Sequence, residues 1–342
     1  MNANDVIIAV DAMGGDFAPL SVIKGIDFFF DNLISSNTNV SFHIYGQEEK
    51  VLPILSKYKR VSSNSTFVDC VDVILSDDKP SFALRQRKKS SMYGAIEAIK
   101  DGTVAGVVSS GNTGALMAIA RFVLGTLPNI YRPAIASVFP AKSKDFILLD
   151  LGANVDCNAD SLFQFAVMGS AFAKTVLGRD NPEVALLNIG TEEIKGTDAI
   201  RKAFDLLKCA TDILNFKGYI EASEFLNGDI DVIVADGFVG NVMLKAAETM
   251  ANTIISLVKD EISNSFIMKL FSFFIRRKLS NNLNHFNPKT RNGAMFLGLN
   301  GVVIKSHGNA DHIAFGHAIR FAVDAIRNNL NAKIISGISS VE

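Results

Sequence analysis

The chain has 342 residues, 48% of them hydrophobic and 20% charged, with a formal net charge of -1 at pH 7. That balance is globular, with room for a sizeable core, and it excludes a collagenous, low-complexity or highly charged disordered chain. It offers no global attraction to nucleic acid or to an anionic membrane, so no nucleic-acid partner is expected and any membrane affinity has to come from a local patch.

The chain opens with an apolar run of five residues, Val6 to Val10. It is too short for a signal peptide or a spanning helix and no basic segment precedes it, so a cytoplasmic location is expected. The run reads as a buried strand that breaks into AVDAMGGDFAP (9 to 19), where Gly14 and Gly15 loosen the backbone and Pro19 is placed to open a helix. Strand, glycine loop and helix usually cradle a phosphate on free N–H groups, yet Asp11 and Asp16 would repel an anion there.

Further β-branched runs follow at VSFHIY (40 to 45), VAGVV (104 to 108), AIASVF (134 to 139), FILLD (146 to 150), VALLNI (184 to 189), DVIVAD (231 to 236) and GVVIKS (301 to 306). Helical patterns lie between most of them, which predicts a three-layer α/β/α fold around a mostly parallel, Rossmann-like sheet. With no Pro-rich or Gly/Ser-rich linker and no internal repeat, a single catalytic domain over 1–342 is expected. The three cysteines, Cys70, Cys157 and Cys209, form no C-x-x-C pair and read as reduced, buried thiols.

Small polar residues and glycines dominate the loops after these strands: SSGNTG (109 to 114), DLGANVDCN (150 to 158), NIGTEEIKG (188 to 196), ADGFVGN (235 to 241) and KSHGNAD (305 to 311). In an open parallel sheet such carboxyl-end loops share one rim, so one long cleft is expected. In SSGNTG, Ser109, Ser110, Asn112 and Thr113 supply donors, Gly111 and Gly114 admit close backbone approach, and a helix N-terminus follows. The motif reads either as a phosphate site or as a polar helix cap on an ordinary turn. Neither a nucleotide P-loop nor a strand-linked G-x-G-x-x-G occurs, so no cofactor is implied.

Of the five histidines, His307 ends a strand at the ligand rim, where an imidazole can bond substrate or move a proton. His317 sits within a helical pattern and reads as structural. The HGNADH run from 307 to 312 is a weak metal pattern and no metal is expected. No G-x-S-x-G elbow supplies a nucleophile for a protein-bound acyl intermediate.

Seven blocks, AVDAMGGDFAP, ALRQRKKSSM (83 to 92), SSGNTGALMA (109 to 118), LLDLGANVDC (148 to 157), VALLNIGTEEIKG (184 to 196), DGFVGNVMLK (236 to 245) and GLNGVVIKSHG (298 to 308), resemble the bacterial phosphate acyltransferases of phospholipid synthesis. The resemblance runs in the same order from residue 6 to about 328. It implies transfer of a long fatty acyl group from acyl carrier protein to inorganic phosphate, giving acyl phosphate for a membrane glycerol-3-phosphate acyltransferase. It also implies a homodimer and a sheet similar to that of the isocitrate and isopropylmalate dehydrogenases. A pantetheine thiol, with a pKa of about 8.5, leaves without a strong general acid, so the site needs mainly donors for phosphate and oxyanion.

The catalytic set expected on this resemblance is Lys195, His307, Asn241 and Asp236. Substrate contacts are expected from Asp11, Gly14, Gly15, Asp16, Ser110, Gly111, Asn112, Thr113, Gly114 and Asn154. Asp11 and Asp16 are expected to orient a cation such as Lys195 or Arg85, or to accept from pantetheine amides, with Asp16 as a mere helix cap the alternative. Arg85, Arg87, Lys88 and Lys89 suit docking of the acidic carrier or binding of phosphate. Between Glu261 and Asp311 the chain has no acidic residue, and FIMKLFSFFIRRK (266 to 278) forms an apolar face opposite a basic strip. This amphipathic excursion over 262–291, with Phe271, Phe274, Arg276, Arg277 and Lys278, suits peripheral attachment to the inner membrane face, the wall of an acyl tunnel, or a dimer contact. A phosphate acetyltransferase using acetyl-coenzyme A, a metal-dependent oxidoreductase on a similar sheet, and a non-catalytic carrier-binding scaffold are the competing readings.

Overall fold

The computed structural model describes residues 5–34, 39–264 and 288–340. Its elements begin with β1 (Asp5–Asp11), α1 (Leu20–Asn32), β2 (Asn39–Gly46), α2 (Glu48–Leu55), α3 (Lys59–Ser63), β3 (Ser65–Asp69), α4 (Pro80–Gln86), α5 (Ser91–Lys100), β4 (Gly106–Ser109) and α6 (Thr113–Leu124). Then come β5 (Ala134–Phe139), β6 (Phe146–Leu149), α7 (Ala159–Val176), β7 (Glu183–Asn188), α8 (Asp198–Cys209), β8 (Asn215–Glu221), β9 (Val232–Val234) and α9 (Gly237–Asn264). The described chain closes with β10 (Ala294–Leu297), β11 (Val302–Lys305), α10 (His312–Arg327) and α11 (Leu330–Ser339). Pro19 stands at the cap position of α1, as its fixed φ suits.

Alternate residues of the strands enter different cores, as a two-fold side-chain period requires. Val6, Ile8 and Val10 of β1 pack with Phe29, Phe165 and Phe315 on one face of the sheet, while Ala9 joins Met92, Ile96 and Leu116 on the other. Helices therefore cover both faces, and the central strands carry no polar side. α7 is buried nearly all round, from Ser161 to Ala173, which explains a sequence with no polar stripe.

The strands form one sheet in the order β3-β2-β1-β4-β11-β10-β5-β6-β9-β7-β8. Seven of its ten neighbouring pairs are parallel, so the expected mostly parallel α/β architecture is present. The pairs β10 with β11, β10 with β5 and β5 with β6 are antiparallel. These reversals correct the single-rim expectation: the carboxyl ends of β1, β4 and β11 share one edge of the sheet, and those of β6, β7 and β9 share the other. Connection length is the cause. Only residues 140–145 join β5 to β6 and only 298–301 join β10 to β11, far short of the dozen or so that a parallel crossover needs.

At the amino end of β9, Asp231 is buried and pairs with Lys144 at 2.7 Å and Arg179 at 3.3 Å, while accepting from the Glu183 N–H at 2.9 Å. Among the described residues no helix is long and apolar enough to cross a membrane. The predicted excursion at 262–291 falls largely on 265–287, so Phe271, Phe274, Arg276, Arg277 and Lys278 lie outside the described residues.

Candidate active site

Three strand ends meet on the first edge. Asp11 closes β1, fully buried, and accepts from the Ser91 hydroxyl at 2.6 Å, the Ser109 hydroxyl at 2.6 Å and the Met13 N–H at 3.2 Å. Burial raises its pKa, and these bonds oppose the rise. The acidic loop thus holds its own neighbours, not the cation Lys195 or Arg85 that the sequence suggested. Ser109 passes the network on by accepting from the Gly111 N–H at 3.0 Å.

The glycines set how closely these loops approach. A β-carbon on Gly14 would lie 2.6 Å from the Gly111 nitrogen, and Gly15, at φ +98°, would place one 2.9 Å from the Gly308 carbonyl oxygen. Backbone therefore meets backbone where loops 11–16, 109–111 and 305–308 converge. The Asp16 N–H donates to Gly308 O at 2.8 Å, its side chain is exposed, and α1 has no side-chain cap, so Asp16 is not the helix cap.

Within SSGNTG the residues divide. Asn112 is the cap of α6, its Oδ1 accepting from the Ala115 N–H at 3.0 Å, and its Nδ2 lies 3.3, 2.9 and 3.0 Å from the carbonyl oxygens of Leu75, Ser76 and Asp78. Its polar atoms are committed, so the capping reading describes it and the phosphate-donor reading does not. Ser110 is buried, and neither its hydroxyl nor that of exposed Thr113 makes a hydrogen bond among the described residues. Gly114 sits against the Pro80 ring.

Lys305, at the end of β11, is the cation of this junction, and the sequence reading passed over it as one charge in a basic patch. Its ammonium donates to Ser110 O at 3.4 Å and to Ser306 O. Burial pushes its pKa down to about 8, with Asp11 and Asp16 pulling upward and Lys245 pushing further down. His307 is exposed and pairs with Glu248 of α9 at 3.2 Å, while Lys245 pairs with Glu248 at 2.9 Å. The His307 and Lys245 bonds hold the Glu248 carboxyl down at about 2. Among the described residues no three His, Cys, Asp or Glu side chains gather as a metal site.

The remaining predicted residues lie on the second edge. Asp150 accepts from the N–H groups of Ile135, Gly152, Ala153 and Asn154, and burial raises its pKa. Asn154 is buried and gives both amide hydrogens away, to Pro133 O at 2.7 Å and Asp150 Oδ2 at 2.9 Å, which corrects its reading as a substrate donor. Asp236 accepts from the Val239 N–H at 2.8 Å and caps α9, and exposed Asn241 lies beside Gly152. Lys195 is exposed after β7, six places from β4 in the sheet, and its ammonium has no partner among the described residues. α9 links the edges: Gly237 donates to Asn154 O, and eleven residues later, about 16 Å along a helix, Glu248 meets His307.

In the basic run, Arg87 pairs with Asp72 and Asp78, both at 3.7 Å, and lies over the Phe82 ring. It is an internal clamp before it is a docking residue, whereas Arg85, Lys88 and Lys89 are exposed.

A model of the family described as "Fatty acid synthesis protein" matches residues 6–333. A protein named phosphate acyltransferase from Wolbachia sp. subsp. Drosophila simulans is 68% identical over 99% of this chain and 98% of its own. Those of Ehrlichia canis and Anaplasma phagocytophilum, under the same name, are 61% and 49% identical over 96% and 99% of this chain and 98% of each of theirs. In fold, the chain is similar to a phosphotransacetylase from Streptococcus pyogenes, with a TM-score of 0.62 at 18% identity over 94% of both chains. It is also similar to a putative 4-hydroxythreonine-4-phosphate dehydrogenase from Salmonella typhimurium, with a TM-score of 0.51 at 11% identity over 94% of this chain and 99% of that one. With the model spanning nearly all of it and such relatives along its whole length, this chain belongs to the fatty acid synthesis protein family, among the phosphate acyltransferases.

Proposed function

We propose that this acyltransferase takes a long-chain acyl group from acyl carrier protein onto inorganic phosphate, within one α/β/α catalytic domain. The observation that carries the reading is the junction of the β1, β4 and β11 ends. It sets close-packed backbone loops, two uncommitted hydroxyls, Ser110 and Thr113, and the Lys305 ammonium on one edge of the sheet, the donor set that a tetrahedral dianion needs. No nucleophilic side chain is required, because phosphate itself attacks the thioester. Purified protein given palmitoyl acyl carrier protein should release free carrier thiol only when phosphate is added, before and after treatment with a chelator. Thiol release that ignores phosphate, or a preference for acetyl-coenzyme A over the carrier substrate, overturns the assignment.

Lys195 and Asn241, exposed on the second edge, are assigned to the acyl-carrier side of the substrate. On that assignment Lys195→Ala should raise the KM for the carrier substrate and leave the KM for phosphate unchanged, and a near-normal KM for the carrier substrate removes it. Arg85, Lys88 and Lys89 are assigned to the acidic carrier, so that rising salt should raise KM more than it lowers kcat.

The reading extends to a homodimer and to the membrane. Met250, Ile254, Leu257 and Val258 form an exposed apolar stripe at helical spacing on α9, a surface suited to a second copy of the chain. Residues 266–278 are proposed to deliver the product at the membrane face to a glycerol-3-phosphate acyltransferase. Replacing Phe271 and Phe274 with Asp should abolish sedimentation with anionic liposomes while leaving turnover of soluble substrate intact. Loss of the dimer or of turnover with liposome binding retained would assign the segment to an interface or an acyl tunnel.

A further inference from the structure

We propose that Lys305 carries the one proton that acyl transfer has to move: its ammonium protonates the departing sulfur, and the amine so formed takes the proton of the acylated phosphate. The inference rests on the phosphate acyltransferase reading above and assigns a task to a residue of its site. Hydrogen phosphate attacks the thioester carbonyl, a carbon–oxygen bond forms and the carbon–sulfur bond breaks. The phosphate hydroxyl proton ends on the thiol, so Lys305 finishes the cycle as it began, an ammonium.

Its position suits the task. Lys305 follows Val302–Ile304 of β11, which pair with β4, so its side chain enters where the 109–111 loop turns over Gly14 and Gly15. Two of its three hydrogens go to the carbonyls of Ser110 and Ser306, and the third has no acceptor among the described residues. An ammonium fixed by two backbone oxygens, with one donor free, is a pre-aimed acid.

The energetics agree. A lysine in water, near 10.4, is a poor donor to a thiolate whose own pKa is about 8.5. Burial brings Lys305 down to about 8, which closes that gap and lets the proton pass either way. The groups facing it are Asp11 and Asp16 from the β1 end and Lys245 from α9, the last held by Glu248, which also holds His307. The flanking strands β4 and β10 present no titratable side chain, and α10 starts with His312 after Asp311, the latter paired with Lys289.

The test compares the wild type with Lys305→Arg, which keeps the charge but is too weak an acid to pass the proton. Each enzyme is given phosphate and the same acyl chain on either an alkyl thiol or a nitrothiophenol, whose thiolate leaves unprotonated. On the alkyl thioester the variant should lose a hundredfold or more in kcat, within the range for a general acid. On the aryl thioester it should fall within about tenfold of wild type, with the KM for phosphate little changed. Equal losses on both thioesters would overturn the inference and leave Lys305 as a phosphate holder alone. Wild-type kcat/KM on the alkyl thioester should also fall above about pH 8, and Lys305→Arg should lack that limb. An unbroken wild-type rate to pH 9.5 overturns the inference whether or not the variant folds. If the wild type releases no thiol on phosphate addition, the activity reading fails instead, so the two failures are distinct.

Discussion

Asn112 tests the division of labour inside SSGNTG. Asn112→Ala removes the cap of α6, worth about 1 kcal/mol, and the ties to the 75–78 loop. An amide has two hydrogens, so the three nearby carbonyls amount to two good bonds of about 1 kcal/mol net each. The expected loss is about 2 to 3 kcal/mol. For 342 residues, an unfolding entropy of about 2.1 cal/mol/K per residue gives about 0.7 kcal/mol/K, so Tm should drop by about 3 to 4 °C. Asn112→Ser keeps a capping oxygen and loses only the ties, so it should drop by about 1 °C less. Differential scanning calorimetry reads the shifts, and the KM for phosphate, measured well below either Tm, should rise less than tenfold. An Ala variant with Tm within about 1 °C of wild type and a phosphate KM raised a hundredfold would refute the reasoning, because the side chain would then be a phosphate ligand and not a cap.

Asp231→Ala strands Lys144 and Arg179 and the Glu183 N–H, and should cost about 2 to 3 kcal/mol by chemical denaturation, at the low end for a broken buried pair because both cations reach solvent. Asp231→Asn, which keeps the acceptor, should cost less. Glu248 has a carboxyl held at about 2 in the fold against about 4.3 in an unfolded chain. Its contribution is therefore present above pH 4.3 and lost as the pH falls through about 2, and after a discount for its partial exposure it is about 1 to 2 kcal/mol. Glu248→Gln should lose that much less stability than wild type between pH 5 and pH 2. Cys70 and Cys157 are buried with thiols raised to about 11, whereas Cys209 is exposed. A thiol reagent at pH 8 should modify Cys209 within minutes and the other two only on unfolding.

The strands that build the site were legible because β1, β4 and β11 are buried on both faces and read as unbroken apolar runs. β3, β8 and β10 were missed; AMFL of β10 is only four residues long, with no β-branched residue to mark it, and the other two have a different cause. β3 and β8 are the outermost strands, half-exposed, and STFVD and NFKGYIE mix polar with apolar residues accordingly. Strand direction was readable but not read: six residues between AIASVF and FILL admit a hairpin and no crossover, and that one reversal moves Lys195, Asn154, Asp236 and Asn241 to the far edge. Lys305 carried no local signal. A lysine closing VVIK looks like any strand end facing water, and its burial is made by residues 195 positions away. Ser91, 80 positions from Asp11, is similar.

The segment from Asp72 to Asp78 would tie the two proposed functions into one lever. Arg87 grips the carboxylates of Asp72 and Asp78, and Asn112 holds the segment's far end through the Asp78 carbonyl. If the carrier docks at Arg85, Lys88 and Lys89 as proposed, it would compete for the same guanidinium, and whatever it took from Asp78 it would take from the anchor of the 109–114 loop. On the proposed docking, arrival of the carrier and order in the 109–114 loop would be mechanically joined. The same acyl chain handed over on a small thiol would pull no lever, and should turn over more slowly even at saturation.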